Sequence, residues 1–193
     1  MVDIDGATTA TIATGDKVNF LDITDSLVKE DTVQGILDLA GGGFTLATEQ
    51  ATTSGTSVTF GSIPAGTTMI VIMFESVSFS GESNLDVTIG DAGGLETSGY
   101  ISVGGEIDAG PLFVNSTTEF IIDVSGSDSD LQGQMTLMLK DSSNFTWVAS
   151  HNCRADDSVT QIGAGSKSLT AELTQVSISG DTFNAGSINI MYQ

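Results

Sequence analysis

The sequence predicts an all-β protein: an antiparallel β-sandwich of jelly-roll type, preceded by a short N-terminal arm with one short helix. Three observations carry this. Gly, Ser and Thr, with 23, 23 and 24 copies, make up more than a third of the 193 residues; Thr favours strands, and Gly and Ser favour turns. From Ser57 onward, short apolar runs recur between clusters of Gly, Ser, Asn and Asp, near the spacing of strands in a sandwich. A hydrophobic content of 39% with only 16% charged residues is too apolar for a disordered chain. It is also poor in the Lys, Arg and Glu that fill ordinary helices.

Residues 1–16 have no sustained period and read as an extended arm. Lys17 to Ile23 alternates as a short strand, with Val18 and Phe20 apolar. Next comes the one helix signal. Asp31 is the expected N-cap, with Gln34 placed to bond back to it. Val33, Ile36, Leu37 and Ala40 share a face, and Gly41 to Gly43 ends the helix. So short a helix is marginal alone, and its apolar face needs something to pack against.

Residues 44–56 read as a Thr-rich linker. The expected strands of the head are then Ser57–Phe60, Thr68–Phe79, Leu85–Ile89, Gly99–Val103 and Glu119–Ser125, followed by Gln134–Leu139, Trp147–Cys153, Ser166–Leu173, Gln175–Ser179 and Gly186–Tyr192. Leu169, Ala171 and Leu173 share one face of their segment, as do Ile188 and Ile190 of theirs. Met69 to Phe74 is apolar on both faces, which suits a central strand covered twice or a subunit contact. The expected organisation is a docking arm over 1–43, a linker over 44–56 and a head over 57–193.

Charge removes several functions. There are 25 Asp and Glu against 5 Lys and Arg, a net charge of −20, and the basic residues are scattered. Without a basic patch the chain is not expected to bind nucleic acid through phosphates or to sit on an anionic membrane. The longest apolar run is far too short to span a bilayer, so no membrane insertion is expected. The first residues lack the basic and apolar regions of a signal peptide, which predicts synthesis in the cytosol.

No constellation points to catalysis. His151 is the sole histidine; Ser150 and Asp156 lie near it in sequence, but no nucleophile elbow is present. Cys153 is alone, so neither a disulfide within the chain nor a cysteine zinc site is expected; it reads as a buried strand residue. The acidic pairs Asp128/Asp130 and Asp156/Asp157 are short of a calcium loop and read first as solvated turns. Trp147 and Tyr100 are the candidate sugar-stacking platform, against a competing reading of Trp147 as core. The chain is expected to be no enzyme and to need no cofactor or metal.

Several stretches carry a resemblance. They are Asp141 to Ser150 (DSSNFTWVAS), Gly163 to Leu169 (GAGSKSL), Asp181 to Tyr192 (DTFNAGSINIMY) and Gly94 to Tyr100 (GLETSGY). With the strands between them, covering roughly Ser57 to Gln193, they resemble a β-rich module of tailed-bacteriophage virion proteins, found in tail-fibre-like and other exterior structural proteins. Residues 17–42, through Lys17 to Asp22 and Gly35 to Asp38, resemble N-terminal segments of small phage structural proteins. The resemblance implies a virion role after assembly in the host cytoplasm. Its partners would be capsid or tail proteins, and host-surface glycans for an appendage; capsid decoration or a head fibre is the alternative place on the particle, and a carbohydrate-binding module or glycan-active enzyme the alternative class. It carries no catalytic motif to transfer.

On this reading Val18, Phe20, Leu27, Val33, Ile36 and Leu37 dock the arm to the virion. A homotrimer is expected, as is common for such appendages. Met69, Ile70, Ile72 and Phe74 are the expected subunit contact, because a strongly acidic chain associates only through an apolar surface.

Overall fold

The computed structural model describes residues 13–22, 24, 26–33, 35–36, 43–81, 83–107, 112–122, 130–155 and 159–193. The chain divides into two compact units, Met1–Gly43 and Phe44–Gln193.

In the first unit, β1 (Lys17–Asp22) and β2 (Leu27–Thr32) form an antiparallel hairpin in which Phe20 faces Lys29 and Leu21 faces Val28. Asp31 is in strand β2, and the Gly35 amide donates instead to the Thr32 hydroxyl at 3.0 Å, the bond an N-cap makes to its third following residue. Val33, Gly35 and Ile36 have helical backbone; Leu37, Ala40 and the rest of the expected helix lie outside the described residues.

The second unit is built from two antiparallel sheets. β3 (Thr45–Leu46) and β4 (Gln50–Ala51) come first, so the stretch expected to be a linker is part of this unit, paired to its last strand. β5 (Ser57–Phe60), β6 (Met69–Phe79), β7 (Leu85–Asp91), β8 (Gly94–Leu95), β9 (Ile101–Ile107), β10 (Leu112–Ser116) and β11 (Phe120–Ile122) follow. The chain ends with β12 (Leu131–Asp141), β13 (Thr146–Ala155), β14 (Val159–Ser168), β15 (Gln175–Ser179) and β16 (Phe183–Tyr192).

The larger sheet runs β10-β9-β14-β13-β12-β6-β16-β3, with β4 also on β16. The smaller runs β11-β7-β15-β5, with β8 on β7. The expected strand over Ser166–Leu173 is corrected: β14 ends at Ser168, and Leu169 and Leu173 are buried anchors in the connection that follows. Their spacing is that of a strand, but they reach the core from a loop.

One core lies between the two sheets. Its members include Ile70, Ile72 and Phe74 from β6, Leu85, Val87 and Ile89 from β7, Val176 and Ile178 from β15, and Ile188 and Ile190 from β16. Strand β13 shows why the sheet buries one side: its residues alternate strictly between buried and exposed along Trp147–Ala155, the period-2 pattern of a strand with one covered face.

Candidate functional site: two interaction surfaces

The side chains expected to bind sugar are unavailable. Trp147 is 1% exposed and Tyr100 is 2% exposed. The Tyr100 hydroxyl accepts a hydrogen bond from the Ile89 amide at 2.9 Å, and its ring meets Phe120 edge-on at 4.9 Å. Burial pushes its phenol up to about 12. Both aromatics are inter-sheet core, so the sugar platform is withdrawn.

The expected subunit contact is corrected in the same way. Ile70 and Ile72 are fully buried and Phe74 nearly so within a single chain. They point between the sheets, because β6 is central to the larger sheet and alternates its side chains. Met69, half-buried, is on the opposite face of the same strand. The doubly apolar run reflects a central strand whose Ile70, Ile72 and Phe74 enter this chain's own core and whose Val71, on the other face, is buried as well.

The interior chemistry is that of packing. His151 is buried, burial drops its imidazole to about 4 against a hydrogen bond to the Ile162 backbone, and its Nε2 has no partner among the described residues. Cys153 is buried beside it on β13, and burial raises its thiol to about 12, the opposite of an activated nucleophile. Gln161 is wholly buried across the ladder from Cys153 and Glu106. Among the described residues no group of three or more His, Cys, Asp or Glu is placed to hold a metal ion. Asp128, Asp156 and Asp157 lie outside the described residues; Asp130 pairs at 4.0 Å with Arg154.

Two surfaces remain. The first is the β1–β2 hairpin. Of the expected docking residues, Val18, Phe20 and Leu27 are exposed on it, at 42%, 44% and 60%. Leu21 and Val28, which sequence reading passed over, add a second apolar pair on its other face. Ile36 is exposed, Val33 half-buried, and Leu37 outside the described residues.

The second surface is the outer face of the larger sheet. In register, Ile101 and Val103 of β9 stand beside Ser166 and Ala164 of β14, then Val148 and Ser150 of β13. Val148 in turn faces Met138 of β12, and Phe113 of β10 lies beside Gly105. Gly105 is small for a reason visible here: a Cβ there would lie 2.2 Å from the Phe113 ring. Two adjoining shallow grooves of about 320 and 360 Å³ cross this face, sharing Val103 and Ala164 as lining. Sequence reading missed the face because its residues are spread over five strands.

No protein-family model, curated protein or solved structure matches this chain.

Proposed function

We propose that this chain is a non-enzymatic structural protein of a bacteriophage particle. Residues 1–43 dock it to the virion, and the β-rich unit is presented outward as a fibre or appendage component. The observation that carries this is the β1–β2 hairpin. It sits in a unit of its own and exposes Val18, Phe20 and Leu27 on one side and Leu21 and Val28 on the other. A two-stranded hairpin is marginal in water without a surface to cover its apolar side chains. Docking on another virion protein supplies that surface.

We read the head as a jelly roll with a hairpin inserted. The smaller sheet has the order β5-β15-β7-β11, and the larger has β6 and then β14-β9-β10, with β12 and β13 set between β6 and β14. Successive strands pass back and forth between the sheets, as in that architecture. With Trp147 and Tyr100 in the core, host contact falls to the polar loops between strands.

The test is made on particles. Quantitative mass spectrometry of purified virions should find the protein, and Phe20→Ser combined with Leu27→Ser should remove it from particles while the free protein stays folded. A handful to a few tens of copies fits an appendage; hundreds fit a capsid decoration protein docked by the same arm. Absence from purified particles would overturn the reading.

A further inference from the structure

The head has two outer faces, and they are chemically opposite. The smaller sheet alternates polar Ser57, Thr59, Asp86, Thr88, Ser177 and Ser179 on its outer side, where Ser57 and Thr59 are exposed and Ser177 is buried, with Val58, Phe60, Val87, Ile89, Val176 and Ile178 in the core. That is the ordinary pattern for an antiparallel sheet with one face in water. The larger sheet breaks it. Its outer face exposes Ile101 at 75%, Phe113 at 60%, Met138 at 51%, Ile107 at 49%, Val103 at 37% and Val148 at 36%.

Two quantities say what covers this face. The first is area. From those exposures, the six side chains leave roughly 600 Å² of apolar surface, already at the upper end for the largest patch on a typical monomer. With Ile162, Ala164 and the serines between them, the face approaches the roughly 800 Å² per partner of a standard protein–protein interface. The second is charge. The chain carries 25 Asp and Glu, yet none occupies an outward position of β9, β13 or β14, or of β12 between Gln134 and Lys140. A chain with net charge −20 repels copies of itself unless the contact is kept free of acid. An apolar, acid-free face on an otherwise acidic chain is what self-association requires.

We propose that the outer face of β10-β9-β14-β13-β12 is the surface through which this chain binds further copies of itself. The inference does not depend on a place in a virion. It is tested on the purified full-length chain, so its failure and the failure of the virion reading are separate results.

The experiment is sedimentation equilibrium of the full chain from micromolar to hundreds of micromolar, at 0.15 M salt. The expected mass is two or more times 19.8 kDa. Ile101→Glu and Phe113→Glu, made separately at exposed positions, should each weaken association about 100-fold or more, because an unpaired charge would be buried at the contact. Their circular dichroism and melting should stay those of the parent. A second measurement needs no variant: oxidation of Met138 by dilute peroxide should slow several-fold as the oligomer fills. A monomer at every concentration overturns the proposal. So does an oligomer whose mass ignores both substitutions and whose Met138 oxidises as fast as in the dilute chain.

Discussion

The Lys167 ammonium lies 3.2 Å from the Glu96 carboxylate, with only 6% of the lysine side chain exposed. The same ammonium is 5.4 Å from the centre of the Tyr100 ring. Lys167 is the penultimate residue of β14, Glu96 follows β8, and Tyr100 precedes β9, so this cation ties the edge of the smaller sheet to the larger. Nothing in the scattered basic residues of the sequence marks this lysine as different from the others.

Removing that cation should therefore be costly. Lys167→Ala leaves Glu96 partly buried without its partner and should lower unfolding free energy by about 2 kcal/mol. Lys167→Ala with Glu96→Gln should recover part of it, since no unpaired carboxylate remains. Urea unfolding of the three proteins checks this. A loss below about 0.5 kcal/mol for Lys167→Ala would show that the pair is immaterial.

Core substitutions should act on the single chain. Ile70→Asp places a carboxylate where the side chain has no exposure, and should unfold the monomer rather than merely separate subunits. Trp147→Ala should cost about 3–5 kcal/mol. Tyr100→Phe, which loses the hydrogen bond to the Ile89 amide, should cost about 1–2 kcal/mol. Melting of each variant at equal concentration is the measurement; a folded, monomeric Ile70→Asp would contradict the assignment of β6.

His151 and Asp86 should bend the pH profile in opposite directions. Burial holds the folded His151 at about 4, below its ordinary 6.5. Between those values the unfolded chain binds the extra proton, so the stability this residue carries is present above pH 6.5 and is lost as pH falls through 4. The full loss is about 3 kcal/mol at 1.36 kcal/mol per pH unit. His151→Phe should flatten that part of the profile.

Asp86 runs the other way: burial and then the nearby Glu119 raise its carboxyl to about 6 from 3.8. Here the folded chain holds the extra proton, so the stability is present below pH 3.8 and is lost as pH rises through 6. Asp86→Asn should make the protein more stable at pH 7 and leave its low-pH stability unchanged. Urea midpoints from pH 3.5 to 8 for the parent and both variants separate the two effects. An unchanged profile in both variants would dismiss them.

Gly186 should tolerate no side chain. It sits at the bulge where the register between β16 and β6 shifts from Ala185/Ser78 to Ser187/Glu75, with φ at 92°. A Cβ there would lie 2.2 Å from the Ser76 carbonyl oxygen. Backbone strain and contact with fixed backbone act together, so Gly186→Ala should cost about 2 kcal/mol or more. Thermal unfolding measures it, and a change under 0.5 kcal/mol would mean that the bulge relaxes.

Much of the strand content was legible. Gln175–Ser179 and Ser57–Phe60 coincide with β15 and β5, and β13 and β16 lie within a few residues of expectation, because each alternates or is densely apolar. Strand β10 was missed, and of β14 only the last three residues, Ser166 to Ser168, were expected. β14 contains Gly163, Ala164 and Gly165, a turn-like composition, and it extends as a strand because β13 and β9 pair with it on both sides. Gly163 is needed there: a Cβ would lie 2.2 Å from the His151 ring.

The β1–β2 hairpin was half legible. Val18 and Phe20 alternate, but Leu27 to Thr32 carries three charged residues, Lys29, Glu30 and Asp31, so β2 emerges only from its pairing with β1.

The sequence by itself determined the class of this protein. Its Gly, Ser and Thr content, alternating apolar runs and scarcity of helix-forming charged residues make a β protein. Only the tertiary structure decided which apolar side chains are core and which are surface. Ile72 and Ile101 are the same residue type, each on a strand of the larger sheet; one has no exposure and the other has 75%. The difference is the direction in which the pleat turns each side chain, toward the second sheet or away from it. That direction is set by a register shared among strands far apart in the chain.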